Sequence, residues 1–310
     1  MRTVLRAVLA LFLATILVGA GLRYLAPQVV LAIALDIERS RSGLVARSVE
    51  LPGGLRVAYL EGGQGDPLVL LHGFGADKDN FTPIGRHLVG HYRVIVPDLI
   101  GFGDSSHPLD ADYAPAAQAA RMSAFLRALG LAQAHVGGSS MGGQVALSWA
   151  VLAPAEVASL WLLDPAGIWG APPSEVGKAF LAGGPNPLLV GSEDEFEALI
   201  GLVMAPPQPR IPRFLQDVIA RQRIRNRPLE ERIFKVIAAD SIEARIAGAN
   251  QSTLIVFGAL DRVIDPATAA VLRRLLPRSH VVIMPGVGHL PALERPEHAA
   301  SDYIRFRDSM

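Results

Sequence analysis

The sequence predicts an α/β protein organised around a mostly parallel sheet of eight strands flanked by helices, with a helical insertion late in the chain and an apolar helix at the N-terminus. Three observations carry this. Short apolar runs of strand length alternate with helix-like stretches, which is the rhythm of strand-helix-strand units. The runs at residues 68–71 and 94–96 are apolar without alternation, as strands buried on both faces are. Glycine-rich loops follow several of these runs, where parallel strand ends gather on one edge of a sheet.

Taken in order, residues 1–35 form the N-terminal segment. Arg2 and Arg6 precede an uncharged run over residues 7–22, and after Arg23 a second apolar run extends over residues 24–35. This is a membrane-targeting pattern, although a span needs about 20 apolar residues. The expectation is an uncleaved signal anchor, with Arg2 and Arg6 holding the short end in the cytoplasm and the bulk of the chain on the far, periplasmic or lumenal, side. Leu25, Val29 and Ile33 would continue it as an amphipathic or re-entrant segment. Val18-Gly19-Ala20 also reads as a signal-peptidase site, which would make the protein secreted, and a buried soluble helix is the third reading.

Residues 44–50 and 55–59 read as an antiparallel hairpin turned at Pro52-Gly53-Gly54. Strand 68–71 runs into His72-Gly73-Phe74-Gly75. A helix over 80–88, a buried strand at 94–96, a glycine-rich loop and a helix over 115–129 follow. A strand at 134–136 leads to Gly138-Ser139-Ser140-Met141-Gly142 and a helix ending at Leu152, and strand 160–163 stops at Asp164. From 169 to 239 proline, glycine and charged helices replace the rhythm, which marks an insertion over the strand ends. Strands resume at 253–257 and 280–284 around a helix over 266–276, capped by Asp265 with Pro266 in its first turn, and a helix over 296–307 closes the chain.

The chain has 310 residues, half of them apolar, no formal net charge and no cysteine. That is ample for one large core, gives no reason to expect nucleic acid, and excludes disulfides, thiolate metal sites and cysteine nucleophiles. No protein partner is implied.

The chemistry centres on Ser140, the one serine with glycine two positions either side, at a strand-to-helix turn. Gly138 and Gly142 let strand and helix approach while the serine takes a strained conformation. Such a serine needs an imidazole base, a carboxylate to orient it, and two N–H donors for an oxyanion. Among eight histidines, His289 sits in a Gly-Val-Gly-His loop directly after the last strand. His135 and His280 fall on strands and read as structural. His87, His91, His107 and His298 read as surface residues. His72 opens the loop whose Phe74 amide, with that of Met141 at a helix N-terminus, supplies the donors. For the acid, Asp261 after the penultimate strand ranks first, Asp164 second, and Asp265, already a helix cap, last. The order Ser140, Asp261, His289 suits a sheet of this kind.

His72-Gly73-Phe74-Gly75, Asp98 with Gly101 and Gly103, Gly138 to Gly142, Asp261, and the His289 segment with Glu294-Arg295-Pro296-Glu297 together resemble the α/β-hydrolase superfamily over residues 44–310. Tyr59-Leu60-Glu61-Gly62-Gly63, Ser139 to Val145 and Pro165-Ala166-Gly167 resemble, more narrowly, membrane-anchored monoacylglycerol lipases and related bacterial lipases. Ring-cleavage C–C hydrolases share the Ser-Met-Gly-Gly elbow. The resemblance implies an α/β-hydrolase fold, with a core in two parts, 44–168 and 240–310, and a helical cap at 169–239. It implies a serine carboxylic ester hydrolase acting on a monoacylglycerol or similar lipid ester through an acyl-enzyme on Ser140, with no metal or organic cofactor. A C–C or small-ester hydrolase and a non-catalytic receptor on this fold are the alternatives. Arg210, Arg213, Arg221, Arg223, Arg225, Arg227 and Arg232 read as a solvated cap face or a contact for anionic headgroups.

Overall fold

The apolar runs assemble as one sheet because each presents side chains to both faces. In the computed structural model, which describes residue 21 and residues 25–310, the chain runs through α1 (Pro27–Arg41), β1 (Val45–Leu51), β2 (Leu55–Gly62), β3 (Asp66–Leu71), a 3-10 turn at Lys78–Phe81, α2 (Thr82–Leu88) and β4 (Tyr92–Pro97). It continues with α3 (Pro115–Ala128), β5 (Ala134–Ser139), α4 (Met141–Leu152) and β6 (Val157–Leu163). Helices α5 (Glu175–Leu181), α6 (Glu193–Val203), α7 (Arg213–Ala239) and α8 (Glu243–Ile246) precede β7 (Ser252–Gly258). The chain ends with α9 (Thr268–Leu275), β8 (Ser279–Met284), α10 (Pro291–Glu294) and α11 (Pro296–Asp308).

The eight strands lie in the order β1-β2-β4-β3-β5-β6-β7-β8. β2 is antiparallel to both β1 and β4, and every other pair is parallel. The pleat divides each strand between two cores. On β3, Val69 and Leu71 join the cluster under α3, α4 and α9, whereas Leu68 and Leu70 join the one under α2 and α11. Each central strand is therefore buried on both sides, which explains the unbroken apolar runs. Trp161 of β6 stacks on Tyr303 of α11 with ring centroids 4.3 Å apart in the second core.

Prolines open α1, α2, α3, α10 and α11, where the missing N–H has no helical partner to lose. The predicted helix at 266–276 starts later, at Thr268. The Asp265 carboxylate accepts the Ala267 amide at 2.9 Å and its carbonyl accepts that of Thr268, so a turn precedes the helix.

The expected membrane span over residues 7–22 lies outside the described residues apart from Gly21. Among the described residues no helix is long and apolar enough to cross a membrane. The expected localisation, a catalytic domain held to a membrane by its N-terminal segment, is corrected on that finding. The apolar run after Arg23 becomes α1, which carries Asp36, Glu38, Arg39 and Arg41 and packs against α2 and α7. Its Arg39 donates to both oxygens of Asp79 at 2.7 and 2.6 Å, and its Glu38 pairs with Arg86. Four charges in the last two turns suit a helix docked on protein, not a re-entrant one.

Candidate active site

The turn between β5 and α4 places Ser140 at φ 53° and ψ −118°. A non-glycine residue in this region costs about 1–3 kcal/mol and persists only where its surroundings over-determine it. Here they do. The Ser140 amide donates to Leu163 O at 2.9 Å, and its carbonyl accepts the amides of Gly143, Gln144 and Ala166. A Cβ at Gly138 would sit 2.2 Å from Gly142 O, and one at Gly142 would sit 2.1 Å from Leu71 O. Strand and helix backbones meet there without room for a side chain, which is the physical reason for glycine at both positions.

The loop after β3 runs beside this turn, with the Cβ position of Gly73 3.4 Å from Ser140 Cβ. His72 is fully buried, and its Nε2 accepts the Leu99 amide at 3.0 Å. Nδ1 therefore carries the proton and donates to Gly73 O at 2.8 Å. Burial lowers the His72 pKa, so the ring is a neutral brace for the loop. Beneath it, Lys78 is buried with its Nζ 2.8 Å from Asp98 and 2.6 Å from Asp104. The Phe74 ring packs edge-on against Phe102 and Phe234, with the Arg223 guanidinium of α7 5.8 Å above it. Among the described residues nothing accepts a hydrogen bond from the Phe74 or Met141 amide. Both remain available donors.

His289 and Asp261 come together from the loops after β8 and β7. Their side chains are buried, and His289 Nδ1 lies 2.7 Å from Asp261 Oδ2. Asp261 Oδ1 accepts the amides of Val263 at 2.7 Å and Ile264 at 3.0 Å, which fixes the carboxylate before the histidine bonds to it. An acceptor on Nδ1 makes Nδ1 the protonated nitrogen and leaves the Nε2 lone pair free.

Asp164, at the end of β6, enters the same cluster. An oxygen of Asp164, one of Asp261 and a ring nitrogen of His289 all lie within 4.8 Å of one another. A cation there would compete for Asp261 Oδ2 and His289 Nδ1, which already bond each other. Asp164 is fully buried at φ 46°, and burial followed by the neighbouring Asp261 charge pushes its carboxyl well above the usual carboxylate range. Asp265, the third carboxylate considered, is spent on the turn before α9 and stays outside the cluster.

Two contributions were not legible in sequence. The Glu294 carboxylate accepts the amides of Gly288, Leu290 and Ala205, and so clips the histidine loop to the turn that follows α6. The backbone adds a second clip, His289 N to Val203 O at 2.8 Å. Glu294 stands in the Glu-Arg-Pro-Glu stretch, but nothing in that stretch says which amides it would meet. The second is the place of Asp164 beside Asp261. His135, read as structural, is buried on β5 with Nδ1 2.8 Å from Ser159 Oγ.

Most of the arginines on and before α7 have partners. Arg213 pairs with Asp194, Glu197 and Asp217, Arg221 with Glu193, Arg223 with Glu230 and Arg227 with Glu231, while Arg232 donates to Leu109 O. These pairs favour the helix-face reading over the headgroup one for the exposed arginines, whereas Arg223 is buried against Glu230 and belongs to neither.

The family model described as alpha/beta hydrolase fold matches residues 66–296. Lipase 3 of Moraxella sp. (strain TA144) is 42% identical over 283 residues, covering 89% of this chain and 89% of that one. Lipase 1 of Psychrobacter immobilis is 41% identical over 280 residues, covering 88% and 87%. A crystal structure described as that of a membrane phospholipase A, a novel bacterial virulence factor, superposes with a TM-score of 0.89 at 38% identity, covering 100% of this chain and 99% of that one.

Proposed function

The chain belongs to the α/β-hydrolase family, and from that premise we propose how this serine hydrolase of lipid esters works: Ser140 is the nucleophile, His289 its base, Asp261 the carboxylate that orients the base, and the Phe74 and Met141 amides the oxyanion hole. The His289 Nδ1 to Asp261 Oδ2 bond at 2.7 Å carries this reading, because it leaves Nε2 as the nitrogen able to accept the serine proton.

His289 Nε2 takes the Ser140 proton as Oγ attacks the ester carbonyl. The two amides stabilise the oxyanion, and the N-terminus of α4 adds its dipole. His289 returns the proton to the leaving alcohol, and an acyl-enzyme remains on Ser140. Water, deprotonated by the same nitrogen, releases the fatty acid and restores the serine. No step calls on a metal or organic cofactor.

Residues 169–239, the cap in this reading, shape the acyl site over the strand ends. Phe180, half exposed, packs edge-on against Phe234, which packs against Phe74, so one aromatic row leads from the surface to the oxyanion loop. A single acyl chain along that row fits a monoacylglycerol. A phospholipid ester is the second reading, supported by the 38% identity to the membrane phospholipase A over the whole chain. Hydrolysis rates across mono-, di- and triacylglycerols and a diacyl phospholipid of matched chain length decide. The monoacylglycerol is expected to have the highest kcat/KM; a faster phospholipid overturns that choice.

A further inference from the structure

Two carboxylates end adjacent strands at the site, and the mechanism uses only one of them. Asp261 has all it needs, with two amides on Oδ1 and the His289 ring on Oδ2. Asp164 has one donor, the Gly258 amide, 3.0 Å from Oδ1. Its Oδ2 is buried, and no donor reaches it among the described residues. The charged or titratable groups that face Asp164 are Asp261 from the loop after β7, Glu294 from α10, and His289 from the loop after β8. The first two are acids and the third is no permanent cation.

Two buried carboxylates this close cannot both be ionised cheaply, since each charge raises the cost of the other and burial raises both. One proton between them removes the repulsion and gives the orphaned oxygen a partner. Asp261 cannot hold it without giving up its role as acceptor, because its oxygens already accept from two amides and a ring nitrogen. Asp164 can, since only its Oδ1 is engaged.

We propose that Asp164 is a neutral carboxylic acid that donates its proton to the Asp261 carboxylate, and so acts as a positioning residue that fixes Asp261 against His289. This rests on the assignment of Asp261 and His289 given above. The upward push on the Asp164 carboxyl by burial and by Asp261 agrees with it. The arrangement leaves a single negative charge behind the histidine, to be balanced by the single positive charge that His289 gains when it takes the serine proton. It also fixes the site's alkaline behaviour. When Asp164 finally ionises, a second buried negative charge appears behind the Asp261–His289 pair, and return of the proton to the leaving alcohol slows.

The test is infrared spectroscopy of the native protein joined to a pH profile. At neutral pH the spectrum should contain a protonated-carboxyl band that shifts when a phosphonate is attached to Ser140 and is missing from Asp164→Asn. The alkaline fall of kcat in the native enzyme should move or vanish in Asp164→Asn, whose side chain donates but cannot ionise. Asp164→Leu, which has no donor, should lose about 30-fold in kcat with KM unchanged. A native spectrum with no carboxyl band that responds to the phosphonate overturns the proposal, and it does so even if neither variant folds. An Asp164→Asn profile that superposes on the native one overturns it too. Failure of the Asp261–His289 assignment itself would look different: Asp261→Asn would keep kcat within tenfold of the native enzyme whatever the infrared band does.

Discussion

The strand ends of the sheet and the helical segment between β6 and β7 are held by different forces. At the strand ends, Ser140, Asp164, Asp261 and His289 are each tied by backbone hydrogen bonds, and all but Ser140 are buried. In the helical segment, exposed ion pairs link α6 and α7: Arg213 with Asp194 and Glu197, and Arg221 with Glu193. Exposed pairs contribute little and are screened by salt, whereas a buried polar group left without its partner is costly. The proposed reacting groups thus sit where losing a partner costs most. In the proposed reading the acyl site lies instead beside helices linked by exposed pairs, which rearrange at small cost.

Mutation can break that comparison. The largest effect is expected at Ser140→Ala, which should lower kcat by on the order of 10⁶ while leaving Tm little changed, since it relieves a strained residue of its hydroxyl only. Activity within tenfold of the native enzyme would remove Ser140 from the mechanism. Asp261→Asn should cost about 10³ to 10⁴ in kcat, because an amide favours the other histidine tautomer. A loss below tenfold would mean that another acceptor orients His289.

Glu294→Ala probes the seam between the two regions. It leaves the Gly288, Leu290 and Ala205 amides without their acceptor and should lower kcat by about 10- to 100-fold as the histidine loop shifts. Unchanged kinetics would show that the Val203 backbone clip suffices. Arg213→Ala, wholly within the helical segment, should change kcat less than any of these, and raised salt should reproduce its effect in the native enzyme. A large loss would mean that exposed pairs there carry more than their setting allows.

The smallest effect concerns pH and belongs to the sheet. Burial, assisted by the Arg307 charge, pushes His135 down to about 4. Protonation then favours the unfolded chain, so this contribution to stability is fully present above the usual histidine value of about 6.5 and is lost as pH falls toward 4. His135→Gln should flatten the fall in Tm between those pH values. A Tm curve parallel to the native one would show that the ring does not resist protonation.

Much of this molecule was legible before folding was considered. All eight strands lie on predicted runs, and the central ones are plainest because burial on both faces writes itself into consecutive apolar residues. Gly138, Ser140 and Gly142 announce their turn because two backbones meet there without a Cβ. His289 stands out because its loop directly follows the last strand. Local signals misled where a segment's neighbours decide its fate. The apolar character of residues 24–35 suits a membrane as well as a protein surface, and in the fold Leu25, Val29 and Ile33 stay exposed, while the Arg39–Asp79 pair at the charged end of α1 and the contacts with α2 and α7 hold the helix to the protein.

By itself the sequence determined the sheet, the turn that carries Ser140 and the order of the reacting residues, since each follows from the pattern of nearby side chains. Only the tertiary structure decided which acid meets the histidine. Asp164, Asp261 and Asp265 all lie close to strand ends in sequence, but the separation of β6, β7 and β8 in the sheet brings Asp261 Oδ2 to 2.7 Å from His289, sets Asp164 beside that pair and leaves Asp265 on its turn. A hydrogen bond is specific to a few tenths of an ångström, and distances between strands so far apart in the chain are fixed only when both cores are packed.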